Sequence, residues 1–249
     1  MGGRGSSLKA GSVTPATRFQ ATGVKEMRNQ LSNEFGMSVS TMHDDHIEMI
    51  HESLKDFESL DPILLDVIAA AQIEFSLPVM GQNTYATANG WTKKIKLNAT
   101  YFDKPNNPSF KASLDFDLAN GFHNSSEARS IVAHELSHFM HFGIVASAKH
   151  LKQQGVKDKI VDRFSGDKAN GQKVANNLVN AAARKSKAQI DFFRRSISGY
   201  AGTNNREATA EAFTDVLMNK GKARAQSRAV VNEYLQTYHH LNNLIVNNP

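Results

Sequence analysis

The segment His134-Glu135-Leu136-Ser137-His138 sets two imidazoles four residues apart, with a carboxylate beside the first. On an α-helix, residues i and i+4 lie one above the other on the same face. Both rings can then reach a single zinc ion while Glu135 stands next to it, placed to take a proton from an attacking water. The chain contains no cysteine, so thiolate ligands are excluded and any further strong ligand must be His, Asp or Glu.

The flanking residues support a helix. Ser125 or Ser126 is a suitable N-cap, and Glu127 is favourably charged for a first turn. Val132, Leu136, Phe139 and Met140 form an apolar stripe opposite the histidines. The competing reading is a core helix whose histidines are only hydrogen-bonded.

A catalytic zinc takes three protein ligands and keeps one position open. A metzincin would need Gly at 141 and His at 144, where this chain has His141 and Ile144. His141, a turn beyond His138, is poorly placed to close a tetrahedron on the same ion. Glu207 is the stronger candidate for third ligand, with Glu211 one turn later able to orient a ligand histidine; His141 and His123 stand in reserve.

Taken together, His134 to His138 and the later block Tyr200-Ala-Gly-Thr-Asn-Asn-Arg-Glu207-Ala-Thr-Ala-Glu211-Ala-Phe resemble the anthrax lethal factor type of zinc peptidases, gluzincins that include the Pro-Pro endopeptidases. The resemblance covers chiefly residues 123 to 215. It implies a zincin-type domain with Zn2+ on His134, His138 and Glu207, Glu211 as supporting carboxylate, and catalytic roles for Glu135 and for Tyr200, whose hydroxyl assists the oxyanion. Ser137 stands where the family usually has Gly, and Ala208-Thr209 where it has an aromatic pair. Gly121-Phe-His-Asn also resembles metallopeptidases encoded by bacteriophages and mobile elements.

The function expected on these grounds is zinc-dependent endopeptidase, acting on a protein or peptide substrate. The alternative is a non-catalytic basic protein of a phage or mobile element that binds nucleic acid or a capsid partner around a structural zinc. The formal net charge of +5 and the late cluster of basic residues, Arg184 to Arg228, admit nucleic acid as a partner, although solvated helix faces explain them equally well. No apolar run is long enough to span a bilayer and no signal peptide is visible. The expected location is therefore the cytoplasm of a bacterial host or a virion, without membrane association.

For fold, the pattern predicts an α+β protein, mainly helical, with a small antiparallel sheet ahead of the His134 helix. Residues 1 to 20 read as a mobile segment, 21 to 75 as a helical lobe and 76 to 249 as the metallopeptidase domain. In the lobe, the polar cluster His43 to His46 with His51 reads as a solvated face. Tyr85 to Leu97 reads as a hairpin on an Asn89-Gly90 type I′ turn. Phe110, Ala112, Leu114, Phe116 and Leu118 alternate with polar residues as in a strand. Helices are expected over 144 to 164, 174 to 197, 207 to 218 and 228 to 246.

Overall fold

The computed structural model describes residues 17–104, 107–167 and 171–248; the expected mobile segment lies, as far as residue 16, outside them. The described residues begin with three helices, α1 (Val24–Asn33), α2 (Asp44–Leu60) and α3 (Ile63–Ala71). Leu31, Ile47, Ile50, Leu54, Phe57, Leu64 and Ile68 recur at helical spacing and are all buried. Asp61 Oδ1 accepts from Ile63 N at 3.1 Å, and Pro62, which has no N–H to leave unpaired, leads into α3. Within this lobe His46 and His51 are buried rather than solvated. His46 Nε2 lies 2.6 Å from Phe102 O and His51 Nε2 lies 2.9 Å from Gln30 Oε1, so each ring finds a polar partner inside.

Three short strands follow: β1 (Glu74–Ser76), β2 (Ala86–Asn89) and β3 (Lys94–Leu97), in the order β1-β3-β2. The sheet is mixed, not antiparallel. β2 pairs antiparallel with β3, Ala88 opposite Ile95, while β1 pairs parallel with β3, Phe75 opposite Ile95. The hairpin turn is also longer than expected. Asn89 Oδ1 accepts from Trp91 N and Thr92 N, and Lys93, at φ 56°, is the residue in the left-handed region. Gly90 leaves room for the Phe142 ring: a Cβ there would lie 1.8 Å from Phe142 Cζ, so the ring, on a helix packed against the hairpin, would have to shift.

The alternating segment before the His134 helix is a helix. After α4 (Ala99–Phe102), α5 spans Pro108–Ala119. Asn107 Oδ1 accepts from Ser109 N and Phe110 N, and Pro108 opens the first turn. Phe110 and Leu114, one turn apart, are buried, while Phe116 is 69% exposed. A strand would have buried all five apolar residues on one face.

The long helix α6 (Ala128–Gln153) carries the histidine motif through the middle of the molecule. Its N-cap is Glu127, and Ser125 Oγ accepts from Glu127 N just outside it. α7 (Lys159–Phe164), α8 (Gln172–Lys185), α9 (Ile190–Arg195), α10 (Asn205–Asn219) and α11 (Ala225–Asn247) complete the chain, so each of the two long helical stretches expected after the motif is broken once. α2, α3, α10 and α11 all pack on α6. One apolar core runs from Phe19 to Leu241 and includes Phe57, Phe139, Phe213 and Tyr234; each such ring contributes on the order of 1.5–3 kcal/mol by leaving water. Where α3 meets α6, a Cβ on Gly143 would stand 2.6 Å from Val67 Cγ1, so the close crossing needs glycine.

Candidate metal centre and cleft

α6 and α10 meet at the candidate site. His134 and His138 project from the same face of α6 and are 5% and 6% exposed. α10 begins at Asn204, whose Oδ1 accepts from Arg206 N and Glu207 N. The cap thereby fixes the first turn, which carries Glu207. Glu207 Oε2 lies 3.1 Å from His134 Nε2 and 3.3 Å from His138 Nε2. Zinc–ligand bonds of about 2.0–2.1 Å imply tetrahedral ligand separations of roughly 3.3–3.4 Å, so these spacings fit one ion. The buried group His134, His138 and Glu207 could hold a metal ion.

The electrostatics point the same way. Burial alone would raise the Glu207 carboxyl, but His134 and His138 hold it far below the ordinary carboxylate range. Burial alone would lower His134, but Glu207 and Glu211 raise it well above its ordinary value. Two acidic groups thus draw positive charge into a largely buried site, and a divalent cation there would displace the imidazole proton.

Glu211, 1% exposed, lies behind this group. Its Oε1 is 2.9 Å from His134 Nδ1, off the line of a well-aligned hydrogen bond, and 3.1 Å from His123 Nδ1. Asn124 Nδ2 donates to Oε2 at 3.1 Å. Burial pushes the Glu211 carboxyl up, but His123 and His134 bring it down to about 2. His138 Nδ1 also lacks a hydrogen-bond partner and, unlike His134 Nδ1, has no carboxylate beside it among the described residues.

Glu135 is 6% exposed and faces a cleft of about 610 Å³ together with His134, His123, Tyr200, Tyr85 and Asp117. Burial raises its carboxyl above the usual range, and this outweighs the two neighbouring histidines. Tyr200 sits on a 3-10 turn, Tyr200–Gly202. Gly199 N donates to Gly121 O at 2.7 Å and Tyr200 N to Phe122 O at 3.0 Å, which ties this turn to the segment preceding α6. The Tyr200 ring is 5.6 Å from that of His134, and burial, followed by Glu207 and Glu135, pushes its phenol up.

All six residues singled out from the sequence, His134, Glu135, His138, Tyr200, Glu207 and Glu211, therefore come together. The reserve ligands do not join the metal group. His123 bonds to Glu211 instead, and His141 is fully buried beneath Gly171, burial bringing its pKa to about 3. Sequence reasoning missed Asn124 as a support for Glu211, 87 residues away; only its place beside His123 hinted at it. No helix among the described residues is long and apolar enough to cross a membrane. Compared with known proteins, the chain matches no family model, no curated protein and no solved structure.

Proposed function

We propose that the chain is a zinc-dependent endopeptidase of zincin type, of the glutamate-ligand class that its motifs resemble. The observation carrying this is the convergence of His134 Nε2, His138 Nε2 and Glu207 Oε2, with Glu135 beside them on the wall of an open cleft. These three atoms would hold zinc, which when bound supplies Lewis acidity toward a water and the peptide carbonyl.

The chain's own groups do the remainder. The Glu135 carboxylate takes a proton from the attacking water and returns it to the nitrogen of the scissile bond as that bond breaks. Its burial raises its pKa, which makes it the better acceptor for the water's proton. The Tyr200 hydroxyl donates to the carbonyl oxygen as negative charge develops there. Glu211, its Oε1 2.9 Å from His134 Nδ1, would take the Nδ1–H on a small realignment and leave Nε2 free to ligate.

The test is digestion of a peptide library by zinc-loaded protein, alongside Glu135→Gln. Cleavage by the wild type and none by the variant supports the reading. Absence of bound zinc after reconstitution, or salt-dependent retention on nucleic acid without any hydrolysis, would favour a non-catalytic binding protein instead.

A further inference from the structure

Asp117 lies near the end of α5 and faces the cleft, half-buried. Its Oδ2 accepts from the Tyr85 hydroxyl at 2.7 Å, and its backbone carbonyl accepts from Phe122 N at 2.8 Å, so the side chain is held from both ends of its residue. Among the described residues no cation pairs with it; the ion pair on α5 is Lys111 with Asp115, on the outside.

The composition of the cleft makes this significant. The chain has 29 Lys and Arg residues, yet among the described residues none of them lines the cleft, whose fixed acidic groups there are Asp117 and Glu135. Two positive charges on zinc would already face three carboxylates, Glu135, Glu207 and Glu211. Asp117 is then the unmatched charge facing the space where a peptide would lie, one aromatic layer from the site: the Tyr85 ring is 6.1 Å from that of His123, which is 6.5 Å from that of His134.

We propose that Asp117 forms a subsite for a Lys or Arg side chain of the substrate, so that the cleft selects basic peptides; this rests on the endopeptidase reading. The Tyr85 and Tyr101 rings, 4.9 Å apart, offer an aromatic wall to the side-chain stem, while the carboxylate takes the charged head. An ion pair formed in a partly dewatered cleft is stronger than one on an open surface, and a guanidinium can bond the carboxylate through two N–H groups.

The experiment uses zinc-loaded, full-length protein and paired peptides carrying either arginine or citrulline, the uncharged isostere, at successive positions around the cleaved bond. At one position the wild type should prefer arginine by on the order of 10- to 100-fold in kcat/KM, the range for a charged hydrogen bond, mainly through KM. Asp117→Asn keeps an acceptor for Tyr85 but removes the charge, and should bring that ratio close to one. Equal cleavage of arginine and citrulline peptides by the wild type at every position overturns the subsite and leaves the endopeptidase standing. So does an Asp117→Asn variant that retains the preference, in which case Asp117 only anchors Tyr85. A zinc-loaded wild type that cleaves neither peptide overturns the endopeptidase reading and the subsite together.

Discussion

Glu211 reaches His134 from behind the metal group, Oε1 lying 2.9 Å from Nδ1, while His138 has no equivalent support among the described residues. The two ligand histidines are thus held unequally. Glu211→Gln should weaken zinc binding by about 10- to 100-fold, the usual cost of losing an orienting carboxylate, while secondary structure is kept. Competition with a chelating dye measures this directly, and unchanged affinity would mean that α6 alone orients His134.

Glu207 supplies the only carboxylate among the three candidate ligands. Wild-type protein should carry about one zinc per chain, and Glu207→Ala should lose most of it at micromolar metal. Metal analysis after gel filtration gives the answer; a variant that retains a full equivalent would move the third ligand elsewhere.

Glu135→Gln preserves shape and zinc while removing the proton acceptor. Peptide turnover should fall by at least about 100-fold with zinc content unchanged. Turnover near that of the wild type would take Glu135 out of the chemistry.

Tyr200→Phe removes one hydroxyl from a ring 5.6 Å from that of His134. Loss of an oxyanion donor predicts a fall in kcat on the order of 100-fold, about 3 kcal/mol, with KM and zinc little changed. A purely packing tyrosine would instead leave kcat within a few-fold.

Away from the site, His51 is fully buried, and burial, then Lys55, lower its pKa below the ordinary value. The folded ring resists protonation, whereas the unfolded chain takes up a proton as pH falls through about 6.5. Stability should therefore decline below that pH, by at most about 1.4 kcal/mol per pH unit from this group. Melting curves between pH 7 and 5 should show a shallower decline in His51→Leu than in wild type; parallel curves would assign the acid sensitivity to other groups.

How much of this was legible in sequence depended on the range of the interaction. The spacing i, i+4 serves both a helix face and a shared ligand, so His134, His138, Glu207 and Glu211 announced their helices and their chemistry together. The same spacing misled at α5: Phe110 and Leu114 fit a helix turn and a strand face equally, and the deciding signal was Asn107-Pro108. A three-residue strand such as β1 carries too little period to reveal that it runs parallel. The bond from His123 to Glu211 joins residues 88 apart, and nothing local encodes it. His46 and His51 looked solvated because charged residues surround them in sequence, yet their own helical positions face inward.

The metal group also fastens distant parts of the chain. His134 and Glu207 are 73 residues apart, so an ion held by both closes a long loop, and a clip of that length restrains the unfolded chain by roughly 4 kcal/mol in the simple polymer picture. During synthesis the histidines emerge first, and a chain ending short of α10 has neither its third ligand nor its Glu211 brace. On the endopeptidase reading, proteolytic competence would thereby be deferred until the later helices have been made and docked.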